Sequence, residues 1–191
     1  MSKAWPMVKL GEVLTHRKEF IQINDFENYK RCRVQLHAQG IILRDIVSGA
    51  EIKTKKQQVC RTGEFLVAEI DAKVGGFGIV SEELDGAIVS SHYFLFFIIN
   101  ETLLSRRFLD IYIRTSFFRN QVDAQGSTNY AAIRPQDVLE YKIPLPTLSE
   151  QLWIIELQSK VDELKKLQSE TKKELNALIP SILDKAFKSE L

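Results

Sequence analysis

The sequence predicts an α/β (α+β) protein: a mixed-sheet domain followed by a long C-terminal coiled-coil helix. Three observations carry this. Up to about Leu145, short strand-like runs alternate with Gly-marked turns. Beyond it, neither Gly nor strand patterning recurs. From Ile154 onward, apolar residues fall at alternating steps of three and four. The boundary lies at the two prolines of Lys142-Ile-Pro-Leu-Pro146, which favour extended backbone and stop a preceding helix. The predicted division is 1–146 and 147–191.

The clearest strand is Arg31–Ala38. Cys32, Val34, Leu36 and Ala38 alternate with Arg31, Arg33, Gln35 and His37, so one face is apolar and the other polar. Further strands are expected at Ile41–Val47, Glu64–Ile70, Gly86–Ser91 and Tyr93–Ile99, with Gly75, Gly76 and Gly78 marking a turn between two of them. Leu104, Phe108, Ile111, Tyr112, Thr115 and Phe118 follow helical spacing and predict a helix over residues 102–120. Gly126-Ser-Thr-Asn-Tyr130 reads as a polar loop, and Pro135 suits the first turn of a short helix ending near Tyr141.

Thr147 and Glu150 have the spacing of a capping box, so the long helix should start close to Ser149. Its seam is Ile154, Leu157, Val161, Leu164, Leu175, Leu178 and Ile182, weakened in the middle by Gln168 and Thr171. A stripe of period 3.5 indicates coiled-coil packing. The alternative is a helix folded flat on its own domain. From Ser149 to Ile179 it would measure roughly 45 Å, against a radius of gyration of about 15 Å for the preceding domain. Pro180 should break or kink it.

Composition narrows the function classes. The chain has 191 residues, 45% apolar, which fits a folded domain. No apolar run reaches the ~18–20 residues of a membrane helix. The N-terminus lacks a signal-peptide layout. Two widely spaced cysteines imply neither a disulfide framework nor a zinc site, so a cytoplasmic location is expected. Net charge is +1, yet its distribution is uneven. Between residues 30 and 61, Lys30, Arg31, Arg33, Arg44, Lys53, Lys55, Lys56 and Arg61 face only Asp45 and Glu51, eight against two, net +6. Arg106, Arg107, Arg114 and Arg119 form a second group. Such patches are either solvated surface or a nucleic-acid footprint.

The strand face Arg31-Arg33-Gln35-His37 favours the second reading, since Arg and Gln suit both base edges and phosphates. The Gly75-Gly76-Phe77-Gly78 turn after Lys73 lacks dinucleotide-fingerprint spacing; it is either a phosphate-approaching loop or a tight hairpin. A nuclease would need clustered carboxylates for magnesium. Asp71-Ala72-Lys73 and Glu51-Ile52-Lys53 offer an acid, a spacer and a lysine, with Asp45 as an upstream acid, but Glu51 lies too near Asp45 to be a convincing partner. No nucleophile elbow, Walker loop or H-E-x-x-H occurs, and no amino-methyltransferase motif. Neither catalytic nor metal-binding residues are therefore assigned.

The stretch Gly63-Glu-Phe-Leu-Val-Ala-Glu-Ile-Asp-Ala-Lys-Val-Gly-Gly-Phe-Gly-Ile-Val80, continuing through Glu83-Leu-Asp-Gly-Ala-Ile-Val-Ser90, resembles target-recognition domains of type I restriction–modification specificity subunits. Trp5-Pro-Met-Val-Lys-Leu-Gly-Glu-Val13 is similar to the opening of such a domain. Gly126-Ser-Thr-Asn129 and Ile143-Pro-Leu-Pro-Thr-Leu-Ser-Glu-Gln151 resemble its closing segment and the start of its conserved-region helix, and Ser181-Ile-Leu-Asp-Lys-Ala-Phe187 the end of that helix. Together these blocks span nearly the whole chain.

The resemblance implies a non-catalytic DNA-reading subunit. A complete subunit of this family carries two recognition domains and two long antiparallel helices. This chain holds one of each, so it looks like a half-length form. The expected partners are double-stranded DNA, methyltransferase subunits using S-adenosylmethionine and, where the system has one, a restriction subunit using ATP and Mg. A second identical chain is expected on the helix seam. No cofactor is expected in the chain itself. Candidate DNA contacts are Arg31, Arg33, Gln35, His37, Lys53, Lys55, Lys56, Lys73 and Arg134, with Ser127, Thr128 and Asn129 from the polar loop. The rival readings are a protein-interaction module whose coiled coil is the working part, and the Mg-dependent nuclease.

Overall fold

The computed structural model describes residues 4–124 and 132–188. Among them the chain forms eleven strands and four α-helices. It divides into two units, Met1–Gln151 and Leu152–Leu191.

The first unit contains three sheets. The four-stranded one runs β2 (Leu14–Arg17), β10 (Tyr93–Ile98), β7 (Phe65–Ala68), β8 (Phe77–Ile79), with antiparallel neighbours throughout. The five-stranded one runs β3 (Ile21–Gln22), β6 (Lys56–Val59), β9 (Ile88–Val89), β4 (Asn28–Gln35), β5 (Gly40–Ser48). Its β4–β9 pairing is parallel, which makes the sheet mixed as the sequence predicts. A short pair, β1 (Met7–Lys9) with β11 (Lys142–Pro144), ties the two ends of the unit together.

Aromatic side chains on the four-stranded sheet explain where the core sits. Phe65, Phe77 and Phe96 are fully buried; Phe65 and Phe77 meet Phe118 from α2 (Ser116–Ala124), and Phe96 packs on Phe65. The Phe77 and Phe118 rings stand edge to face at 5.3 Å, and Tyr141 completes the stack at 5.7 Å from Phe118. Burying each such ring contributes about 1.5–3 kcal/mol. A second cluster, around Cys32, Val34, Cys60, Leu66 and Val89, fills the space beneath β4.

Two elements depart from expectation. Residues 102–120 are not one helix: α1 (Arg106–Ile113) and α2 are separated at Arg114 and Thr115. The Thr115 hydroxyl donates to Tyr112 O (2.7 Å) and accepts from Phe118 N–H (3.4 Å), so a local side chain ends one helix and starts the next. The strand expected at Arg31–Ala38 runs instead from Asn28 to Gln35, because Leu36–Gln39 turn into β5. The inward face therefore holds for Cys32 and Val34, while Leu36 is exposed.

After α3 (Pro135–Glu140) and β11, α4 (Leu148–Phe187) begins where the capping box predicts. Thr147 N–H donates to Glu150 Oε2 at 2.8 Å, and Thr147 Oγ1 accepts from Glu150 N–H at 3.4 Å. Gln151 is wholly buried and fastens the first turn: its amide donates to Leu103 O and Pro146 O, and its oxygen accepts from Ser105 N–H. Pro180 lies inside α4 and does not end it. Proline's fixed φ is compatible with a helix, so the cost is one missing amide bond rather than a forced stop. In the second unit, Leu157, Val161, Leu164, Leu175, Leu178 and Ile182 are exposed. No helix among the described residues is long and apolar enough to cross a membrane.

Candidate nucleic-acid interface

The β4–β5 hairpin carries Arg31, Arg33, Gln35 and His37 of the sequence-predicted contacts, and it divides them into two places. Arg31 and Arg33 share one face of β4 with the half-buried Gln35. Arg31 is bound bidentately to Asp45 on β5, Nε to Oδ1 at 2.7 Å and Nη2 to Oδ2 at 2.6 Å. That bond holds the Asp45 carboxyl below the usual carboxylate range. Arg33 is exposed and has no ion pair or hydrogen bond among the described residues.

The strand pairing explains a residue that sequence reasoning did not select. Arg31 pairs with Asp45 but Cys32 pairs with Leu43, so Arg44 is the extra residue of a β-bulge. A bulge re-aims a side chain. Arg44 thereby joins Arg31 and Arg33 around a cavity of about 170 Å³, also lined by Gln57, Ser90 and Tyr93. Burial raises the Tyr93 hydroxyl pKa, so this phenol keeps its proton near neutrality. The sequence signal for Arg44 was its place in the basic excess of residues 30–61; nothing local marks the bulge.

His37 lies elsewhere, at the hairpin tip. His37 and Ala38 both adopt left-handed backbone, φ +61° and +56°. For non-Gly residues this conformation costs about 1–2 kcal/mol each. The tip is held by tertiary bonds: His37 N–H to Val74 O (2.7 Å) and Ala38 N–H to Gly75 O (2.9 Å). Lys73 is therefore next in sequence to a residue bonded to the His37 backbone, so these two predicted contacts belong to one ridge. Gly75 permits this docking. Its φ is +79°, and a Cβ there would stand 2.5 Å from Ala38 N. Gly75→Ala should cost about 2 kcal/mol or more, the left-handed strain plus the clash. Urea unfolding checks this, and an unchanged midpoint would show that the tip is not fastened through Gly75.

The remaining predicted contacts are scattered. Lys55 is engaged within the fold, donating to Asp25 Oδ1 at 2.5 Å and Gly49 O at 2.7 Å. Lys56 is exposed and sits over the Phe20 ring at 4.7 Å, and Lys53 is exposed nearby in sequence. Arg134 caps α3, its backbone N–H donating to Asp137 Oδ2 at 2.7 Å. Ser127, Thr128 and Asn129 lie outside the described residues.

The second basic group is partly paired. Around the wider clefts beside α1, Arg106 pairs with Glu101 and Arg114 with Asp110. Arg61 pairs with Glu19 at 2.7 Å. Deeper in the fold, Arg17 is bound by Glu64 across the four-stranded sheet, a buried pair that sequence reasoning missed. The acids proposed for a nuclease do not gather: among the described residues no three of His, Cys, Asp or Glu are placed to hold a metal ion, and Asp45 is bound by Arg31.

A family model for the type I restriction modification DNA specificity domain matches residues 2–177. Among solved structures, the HsdS subunit from Thermoanaerobacter tengcongensis is similar at 25% identity and TM-score 0.71, over 93% of this chain and 48% of that one. A chain from a structure on complex assembly and conformational transition of the type I R-M system is similar at 26% identity and TM-score 0.70, over 94% and 48%. The S subunit of a type I restriction-modification system from M. genitalium shares the fold at 16% identity and TM-score 0.56, over 88% of this chain and 42% of that one. The chain thus spans about half the length of the structures it matches. A comparison with curated proteins gave no match. With the family model covering the sheets, the hairpin and most of α4, the chain belongs to the family of type I restriction modification DNA specificity domains.

Proposed function

We propose that this chain reads one half-site of a bipartite DNA target for a type I restriction–modification system, and positions methyltransferase subunits, and a restriction subunit where one exists, on that target. The observation that carries the proposal is the family match over residues 2–177. The solved relatives matched along half their length support the half-site part. In this reading the chain contributes recognition and spacing. S-adenosylmethionine, ATP and Mg belong to its partners. The exposed seam of α4 pairs with a second copy, since closed two-fold symmetry is the commonest arrangement for identical chains. The system operates in the cytoplasm, where the DNA is.

The test is co-expression with a type I methyltransferase subunit from the same genome, followed by mapping of methylated adenines. A defined two-part motif that appears only when both chains are present is the expected result. The purified chain alone should neither methylate nor cleave DNA. Turnover by the lone chain, lost in a folded Asp71→Asn variant, would replace this reading with the nuclease.

A further inference from the structure

We propose that the cavity between β4, the β5 bulge and β9 is a phosphate site that grips the DNA backbone, with Arg33 and Arg44 supplying the charge and Arg31 held in place by Asp45. This rests on the DNA-reading proposal above and gives that surface a division of labour. The charge balance singles the cavity out. Its lining includes Arg31, Arg33 and Arg44 and no acidic residue. The carboxylate in direct contact, Asp45, is bound by Arg31 and lies 3.6 Å from Arg44 Nε, while Glu51 acts on Arg31 and Asp71 on Tyr93 from farther off. Three guanidiniums against the one carboxylate in contact leave net +2. The larger cleft beside α1 is lined by Arg106, Arg107 and Arg114, with Asp110 and Glu82 among them, which leaves only +1 over three times the volume.

Size and chemistry select the ligand. At about 170 Å³ the cavity is smaller than the ~300–1,000 Å³ clefts that enclose whole small molecules. It has room for one phosphate group together with bridging water. The planar guanidinium fork matches phosphate oxygens. Arg33 makes no other bond among the described residues, so its donors need not be withdrawn from a partner. The bulge at Arg44 brings a second fork to the same place from the neighbouring strand. Arg31 already has its charge matched by the bidentate bond to Asp45, so it buttresses the site. Phosphate contacts fix register on the duplex without carrying sequence information. The strand face that looks like a base reader in the sequence is therefore assigned to grip.

The test uses the 191-residue chain and duplexes of several sequences over a range of salt. Arg33→Gln and Arg44→Gln should each lower the slope of log K against log salt by about 0.9, and the double variant by about 1.8. Affinity at ~0.1 M salt should fall on the order of 50-fold in the double variant, equally on all duplexes, which is two lost contacts on the same relation. Arg61→Gln, whose guanidinium is paired with Glu19, should keep the wild-type slope. A folded double variant with wild-type slope overturns the site. So does a change in which sequences are preferred, which would make Arg33 a base reader, or an equal slope loss in Arg61→Gln, which would make the effect one of general surface charge. If the wild-type chain binds no duplex, the DNA-reading proposal fails separately, and inorganic phosphate then judges the cavity. Stabilisation of the wild type but not of the double variant, relative to chloride at equal ionic strength, retains an anion site; equal stabilisation of both removes it.

Discussion

Replacing Glu64 by Ala should destabilise the Met1–Gln151 unit by about 3–5 kcal/mol, a large part of a typical domain's whole stability. Glu64 and Arg17 leave 4% and 10% of their side chains exposed. Arg17 Nε donates to Glu64 Oε1 at 2.5 Å and Nη2 to Oε2 at 2.8 Å, and Nη2 also reaches Val59 O. Glu64 further accepts from Arg61 N–H at 2.8 Å. The pair links the end of β2 to the residue before β7, which are separated in the sheet by β10. Removing the carboxylate leaves a buried guanidinium with only the exposed Glu19 carboxylate, 3.1 Å from its Nη1, as counter-charge, and that desolvation sets the magnitude. Arg17→Met together with Glu64→Leu should recover most of the loss, because the penalty comes from an unpaired charge rather than from the absence of a pair. Urea unfolding of the two variants decides it. If Glu64→Ala costs under 1 kcal/mol, the pair behaves as a solvated surface bridge instead.

That pair also shows what the sequence could and could not reveal. The start of α4 was legible because its causes are local: Thr147 and Glu150 are three residues apart, with Pro144 and Pro146 just upstream. The inward face of β4 was legible at Cys32 and Val34 because a strand alternates wherever it is flanked by paired neighbours. The alternation fails at Leu36, and Ala38 is buried at the turned tip rather than on a strand, because left-handed backbone at His37 and Ala38 is imposed by carbonyls of Val74 and Gly75, some 37 residues away. Arg44 contributes to the basic excess but carries no local sign of a contact, since a bulge is a property of two strands in register and leaves no mark in one of them. Arg17 and Glu64 are 47 residues apart, and nothing near either announces the other. The break at Thr115 is the instructive case: by spacing its side chain falls on the apolar stripe, yet its hydroxyl caps instead of packing.

Inserting one heptad near Gln168 should lengthen the gap between half-sites without changing the half-sites. In the proposed dimer, α4 pairs antiparallel with its copy along Ile154, Leu157, Val161, Leu164, Leu175, Leu178 and Ile182. The recognition unit precedes the helix in each chain, so antiparallel pairing puts the two units at opposite ends and the target becomes a bipartite palindrome. A seven-residue insertion preserves the 3.5 period of the seam. It adds about 10.5 Å at 1.5 Å per residue. DNA advances roughly 3.4 Å per base pair, so the preferred gap grows by up to about 3 base pairs. An insertion of five residues instead would rotate the seam off the partner face and should abolish pairing, which separates length from register. The half-sites stay the same because β4, β5 and the hairpin tip are untouched. Mapping of adenine methylation by wild-type and inserted chains, each with the methyltransferase, reads the gap directly. An unchanged gap in an active dimeric insertion variant refutes the ruler. An asymmetric target, or a single copy of the chain in the active complex, refutes the homodimer while leaving half-site reading in place.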